Sequence, residues 1–326
     1  MPLGAHRPAR SGEGDLLVIG GAEDKLGKRT VLNEFVRRAG GADARIAVIP
    51  TASSLGPEII DVYAALFNRL GAAEVYGVRP EDRAQASSPE LIKRLDEATG
   101  IFMTGGNQLK LSTVIAGTPF AEAIVEARGR GVTVAGTSAG ASIQASHMVA
   151  FGPGGSTPKQ RMTQVAAGLG LVESCVIDQH FAQRNRYGRL LMIVSQSPQL
   201  LGMGVDEDTA AVITRTEDAE MLRVVGRGSV TLFDGRNMVT NAHEAKERRP
   251  LLASGVVLHV LPEGSEFDLT ARKLVPPKST VNPEEADELA MANRDLRKMA
   301  RDIAAGDVSP SVLRRRMARR SRGASE

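Results

Sequence analysis

The sequence predicts an α/β fold, a doubly wound and mostly parallel sheet flanked by helices, with additional antiparallel strands towards the C-terminus. Two observations carry the core of that expectation. From about Asp15 onward, short apolar runs alternate with segments of helical spacing, the strand–helix order that builds parallel sheets. The runs are continuous in Val, Ile and Leu rather than alternating, as suits strands buried on both faces. A third observation marks the change beyond about residue 200, where β-like runs follow one another, separated by Gly and Asp turns.

Leu16–Ile19 is the first run and stops at Gly20-Gly21. Arg45–Pro50, Glu74–Val78, Thr99–Met103 and Val132–Ala135 follow. Between them, Pro57–Leu70 has Pro and Glu in its first turn and Gly71 past its end, and Thr118–Arg130 has Pro119 near its start and Gly131 after it. Proline inside the start and glycine past the end are the boundary signals of a helix. Ala210–Thr214, Leu222–Val225, Val230–Phe233 and Val256–Leu261 are expected to extend the sheet or to form a small sub-sheet. Apolar density falls after Pro262, and Pro283–Ala304 reads as an Ala/Glu/Arg-rich helix. The expected organisation is a flexible leader (1–14), one α/β domain (15–265) and a polar, basic C-terminal extension (266–326).

Composition narrows the function classes. A chain of 326 residues buries a substantial core. The single cysteine, Cys175, excludes a disulfide framework and a cysteine-based zinc site. No segment approaches the ~20 apolar residues of a membrane span. The N-terminus has positive charges but no apolar core of a secretory signal, so the cytoplasm is the expected compartment. Residues 301–326 hold seven arginines and three acids, a net charge of +4, and the rest of the chain is at −1. Such a tail attracts polyanions. It lacks the aromatic platform of a single-strand binder, and no nucleic-acid partner is expected.

The sharpest feature is Gly136-Thr137-Ser138-Ala139-Gly140, a G-x-S-x-G element after a predicted strand and before a predicted helix. That context is what a nucleophile elbow demands: a tight turn pushes the serine out at the strand's carboxyl end, with N–H groups and a helix N-terminus beside it. Glycine-rich strand–helix turns also cradle phosphates, although the G-x-x-x-x-G-K-[ST] pattern is absent here. Of the five histidines, His180 stands out as a general base. It ends the run Cys175–Gln179, and ligands collect at strand carboxyl ends in open α/β sheets. His6 lies in the leader, His147 on the helix expected after Ser138, His243 in a charged loop and His259 in an apolar strand.

A third group should orient the imidazole. Asp206, Glu207 and Asp208 are the candidates, and period-two alternation divides them between two faces without choosing. Three adjacent acids beside a buried strand should mostly face water. Thr104–Gln108 forms a second glycine loop whose N–H groups could join that of Ala139 in an oxyanion hole, or serve as a plain turn with Asn107 capping a helix. Arg184, Arg186 and Arg189 follow His180, and their planar forks suit carboxylate recognition. On a regular helix Arg186 and Arg189 share a face while Arg184 points away. No zinc signature such as H-E-x-x-H is present.

Together, GGAEDK (20–25), FMTGGNQLKL (102–111), GTSAGAS (136–142), DQHFAQRNRYGRL (178–190) and GVDEDTA (204–210) closely resemble the cyanophycinases, in the serine peptidase family that includes aspartyl dipeptidase. The resemblance covers roughly residues 15–265. It implies a fold similar to the class I glutamine amidotransferases and a homodimer. It implies a triad of Ser138, His180 and Glu207, selecting Glu207 among the three acids. This chain order differs from that of the α/β-hydrolases. The resemblance also implies oxyanion donors at Gly106 and Ala139, and Gln108, Asp178, Arg184, Arg186 and Arg189 around the substrate. The implied substrate is cyanophycin, a poly-aspartate backbone bearing arginine on each β-carboxyl, cut to β-aspartyl-arginine without a cofactor. An aspartyl dipeptidase-like enzyme and a non-catalytic ligand-binding protein are the alternatives.

Overall fold

The computed structural model describes residues 12–276 together with Met291, Arg294 and residues 296–298, which are helical. One compact unit ends at Val275 and a second begins at Pro276. The leader through residue 11 and most of the helix expected over Pro283–Ala304 lie outside the described residues.

Strands β1 (Leu16–Ile19), β2 (Arg45–Ile49), β3 (Glu74–Gly77), β4 (Gly100–Met103) and β5 (Thr133–Thr137) fall on the five predicted runs. They pair in parallel in the order β3-β2-β4-β5-β1. Helices α1 (Thr30–Arg38), α2 (Glu58–Arg69), α3 (Pro89–Lys93), α4 (Gln108–Ile115) and α5 (Pro119–Gly129) make the crossovers. Thr118 caps α5 by accepting the Ala121 N–H, with Pro119 in the first turn.

After β5 and the short α6 (Ala139–Ser142) the chain enters a second sheet. Its first strands are β6 (His147–Phe151), β7 (Gln164–Ala167) and β8 (Cys175–Gln179); helix α7 (Tyr187–Gln196) and β9 (Leu201–Val205) follow. Strands β6, β8 and β9 run parallel, so the runs at Cys175–Gln179 and Leu201–Val205 belong to this sheet rather than to the first. His147 opens β6 and is exposed, whereas the sequence suggested a helix there. With α6 only four residues long, the chain has already turned towards the second sheet.

The C-terminal strands realise both alternatives. Strands β10 (Thr209–Arg215) and β11 (Glu220–Gly226) extend the first sheet antiparallel from β1, while β12 (Ser229–Asp234) joins β9. After the hairpin of β13 (Val239–Thr240) and β14 (Ala253–Ser254), β15 (Val257–Pro262) pairs with β12. Strands β16 (Glu266–Asp268) and β17 (Lys273–Val275) close the first sheet's antiparallel edge. The chain thus passes between sheets three times here, at 206–208, at 227–228 and at 263–265.

Burial on both faces explains the continuous apolar runs. One face of the first sheet (Leu17, Ile19, Val48, Phe102) packs on Phe35 of α1 and Phe67 of α2. The other face (Leu16, Val18, Ile49, Met103) shares a core with Ile177, Met203 and Leu232 of the second sheet. Helix α7 covers the second sheet's far side through Leu190 and Val194 against Val176 and Phe233. Cys175 is buried, which pushes its thiol up to about 12 and leaves it unreactive.

Candidate active site

Ser138 sits between β5 and α6 at φ 54° and ψ −109°, a strained conformation for a residue with a side chain. The glycines around it are sterically required. A Cβ on Gly136 would lie 2.0 Å from the Gly140 carbonyl oxygen, and one on Gly140 would lie 2.2 Å from that of Met103. The turn therefore closes on itself and on the end of β4, projecting the half-buried serine outward. This is elbow geometry rather than a phosphate cradle. The expected helix dipole contributes little, because α6 has only one turn.

His180 follows β8 in a left-handed conformation, φ 46°. Its N–H donates to the Gly20 carbonyl at 2.7 Å and its carbonyl accepts the Arg184 N–H at 3.0 Å. The imidazole lies against Gly21, where a Cβ would stand 2.4 Å from Nε2. The Gly20-Gly21 turn after β1 is thus the shelf on which the ring rests. His180 Nε2 is 3.1 Å from Ser138 Oγ, and Nδ1 is 2.6 Å from Glu207 Oε1. Serine, imidazole and carboxylate, brought from two different sheets, form one hydrogen-bonded series. Burial lowers the His180 pKa, as do the charges of Arg184 and Arg186, against the opposing pull of Glu207. The ring is therefore neutral near pH 7 and able to accept a proton.

The three acids at 206–208 do not mostly face water, as the sequence suggested. They occupy the crossover between sheets, and each meets donors of its own. Asp206 accepts the Ala182 N–H at 3.0 Å and the N–H and hydroxyl of Ser229 at 3.1 and 2.8 Å. Asp208 accepts the Asp24 N–H at 2.8 Å. Glu207 is left for His180, with its own N–H bonded to Gln183 Oε1 at 3.0 Å.

The second glycine loop lies beside the serine: a Cβ on Gly105 would be 3.1 Å from that of Ser138. Asn107 caps α4 by accepting the Lys110 N–H at 2.9 Å, so the loop is also the helix cap that the sequence allowed. Neither the Gly106 nor the Ala139 N–H has an acceptor among the described residues. Gln108 donates to the Val149 carbonyl at 2.6 Å, tying α4 to β6.

Arg186 and Arg189 are turned inward and Arg184 is exposed, although α7 begins only at Tyr187 and Arg184 and Arg186 lie in the turn before it. Asp178 and Arg189, expected around the substrate, are bonded to each other in this structure. Asp178 is wholly buried and accepts from Arg189 Nε at 2.6 Å, from Arg189 Nη2 and from Arg186 Nη1 at 3.3 Å. A carboxylate so deep is retained only when paired, and here its partners come from this chain. Arg189 spends a further donor on the Gly152 carbonyl at 2.7 Å. Burial pushes the Arg186 guanidinium down to about 10 despite Asp178, which leaves it charged at neutral pH. Gln179, which sequence reasoning passed over, links this cluster to the serine. Its Oε1 accepts from Arg186 Nη1 at 2.9 Å and lies 3.5 Å from Ser138 Oγ. Its place between Asp178 and His180 in the motif was the available signal.

Glu23 of the 20–25 motif was also missed. Buried beneath the elbow, its carboxylate accepts from the Thr137 hydroxyl at 2.6 Å, the Tyr63 hydroxyl at 2.7 Å and Lys25 Nζ at 2.8 Å. Burial alone would raise its pKa; the Lys25 charge and the three donors outweigh this and lower it. Burial, with the Glu23 charge, pushes the Tyr63 phenol well above its ordinary value and keeps it a donor. The Glu23 contribution to stability is complete above the ordinary carboxyl value of 4.5 and is lost as the pH falls through the lowered folded value. Glu23→Gln is expected to destabilise the fold by about 1–3 kcal/mol, read as a lower urea midpoint at pH 7 that converges on wild type in acid. Equal midpoints at pH 7 would refute the role of this network.

Comparison with known proteins agrees with the five-motif resemblance. The cyanophycinase of Trichormus variabilis is 41% identical over 263 residues, 80% of this chain and 87% of the relative. That of Geminocystis herdmanii is 41% identical over 255 residues, 78% of this chain and 93% of the relative. A crystal structure of a peptidase from an acI-B1 Actinobacterium shares the fold, with a TM-score of 0.52 at 22% identity over 76% of this chain and 97% of that one. Residues 16–221 match Peptidase family S51. The chain belongs to that family and is a hydrolase of the serine peptidase class.

Proposed function

We propose that this enzyme degrades cyanophycin, cutting the poly-aspartate backbone and releasing β-aspartyl-arginine. The observation that carries the reading is the series from Ser138 Oγ through the His180 imidazole to Glu207, at 3.1 and 2.6 Å. The two cyanophycinases at 41% identity supply the substrate class.

Ser138 attacks the aspartyl carbonyl while His180 Nε2 takes its proton. Glu207, bonded to Nδ1, fixes the tautomer and stabilises the imidazolium. The N–H groups of Gly106 and Ala139 receive the oxyanion, and one such donor is worth about 3–4 kcal/mol. The imidazolium passes its proton to the leaving amine, and water then hydrolyses the acyl-enzyme by the same route. Arg184, exposed beside His180, is placed in the role of holding a substrate carboxylate, and Gln108 and Arg186 shape the adjacent wall. The buried, lone Cys175 suits a reducing compartment, so the cytoplasm is the proposed location, with a homodimer as the proposed assembly. Among the described residues, no helix is long and apolar enough to cross a membrane.

The direct test is purified enzyme with insoluble cyanophycin, following clearing and product mass. Release of β-aspartyl-arginine supports the reading. No release from folded protein would overturn it, and cleavage of short aspartyl peptides instead would identify a dipeptidase. The pH profile is a second check. Because the His180 pKa is lowered, the acid limb of kcat/KM, which reports the free enzyme, is expected below the ordinary histidine value of 6.5. Arg184→Gln removes one lowering charge and is expected to move that limb towards neutral pH. An unmoved limb would mean that a group other than His180 is titrating.

A further inference from the structure

We propose that an open cleft beside the segment that follows His180 is a second binding site, which holds a β-aspartyl-arginine unit of the polymer remote from the bond being cut. The inference rests on the cyanophycin reading and extends it from one bond to the chain that carries it.

The cleft, about 680 Å³ in volume, is lined by the loop between β6 and β7 and by Arg248. Phe151 stands at its edge with 68% of its surface exposed, although this protein has only eight phenylalanines and uses most of the others in its core. The cleft is also lined by three exposed cations, Lys159, Arg161 and Arg248, and by no acid. Arg161 is loosely paired with Glu247 at 3.9 Å. Lys159 and Arg248 have no ion-pair partner among the described residues. Clustered like charges cost free energy unless an anion accompanies them.

The wall of this cleft is held by the segment that follows His180. The Gly155 N–H donates to the Asn185 carbonyl at 2.6 Å, and the Gly155 carbonyl accepts the Gly188 N–H at 2.7 Å. Gly154 passes so close to the Arg184 carbonyl that a Cβ would lie 2.3 Å from it. Gly152, one residue beyond Phe151, accepts from Arg189. The cleft is therefore held against the 184–189 segment that follows His180, and a long substrate leaving the serine has it as a neighbour.

A β-aspartyl-arginine unit carries a free arginine carboxylate and a guanidinium. The two features of the cleft match those two groups. Lys159 and Arg248 supply charge for the carboxylate. The exposed Phe151 face supplies a platform on which a planar guanidinium stacks. An ordinary anion would use the charges and leave the ring idle.

The test compares insoluble polymer with the shortest cyanophycin fragment that wild type cleaves. In Lys159→Glu/Arg248→Glu and, separately, in Phe151→Ala, the ratio of kcat/KM on polymer to that on the short fragment is expected to fall about tenfold, the loss of one to two exposed charge contacts in the first and of one guanidinium–ring contact in the second. Granule co-sedimentation of the same variants should weaken in parallel. An unchanged ratio in both variants would overturn the second site. So would loss of the native oligomer in Phe151→Ala by light scattering, which would make this face a contact between copies of the chain. Wild type that fails on polymer and fragment alike would instead refute the substrate reading itself.

Discussion

Ser138→Ala is expected to abolish turnover, lowering kcat on the order of 10⁶-fold as when a serine nucleophile is deleted, while the protein stays folded. The hydroxyl makes contacts only at the site, with His180 Nε2 at 3.1 Å and Gln179 Oε1 at 3.5 Å. Alanine keeps the Cβ and the strained backbone, so the urea midpoint should stay within about 0.5 kcal/mol of wild type. Phosphonate labelling followed by peptide mass measures the same point independently: wild type should be modified at Ser138 and the variant not at all. Residual turnover within about a hundredfold of wild type would mean that the oxyanion groups and substrate binding carry the reaction without a covalent step. That result would point to a water-activating mechanism in place of a serine nucleophile.

Asp178→Ala is expected to be the most destabilising single change near the site, by about 3–5 kcal/mol, the cost of stranding a buried charge. Here two are stranded, since Arg186 and Arg189 both turn inward to this carboxylate and are 7% and 2% exposed. Urea denaturation reads the loss directly. The contrast with a substrate contact is sharp: a residue that only touched substrate would change KM and leave the midpoint alone. A loss below about 1 kcal/mol would place Asp178 back among the substrate contacts. In the folded fraction, kcat should also fall, because Arg186 then ceases to hold Gln179 beside Ser138.

Residues 136–142 show how much of the site is local. Whether a serine projects from a strand–helix turn depends on atoms within a few residues, the Gly136 and Gly140 contacts, so the motif alone carried that geometry. The same holds for the caps at Thr118 and Asn107 and for the parallel runs, whose continuous apolar character follows from burial on both faces. His180 was legible as a strand-end histidine, although not as one resting on Gly21 from a strand more than a hundred residues earlier.

The α/β class, the elbow and the candidate base were legible in the residues alone, and the five-motif resemblance chose Glu207. The folded chain was needed to show that the strands form two sheets and that the serine comes from one while the histidine comes from the other. It also supplied the reason that Glu207 is the acid that meets the imidazole, because the other two are occupied by Ala182, Ser229 and Asp24. Likewise it turned Asp178, Arg186 and Arg189 towards one another and away from solvent. The physical reason is shared. Alternation along a strand defines two faces without saying what each will meet. The cost of burying a charge depends on partners that only the folded chain brings within hydrogen-bond distance.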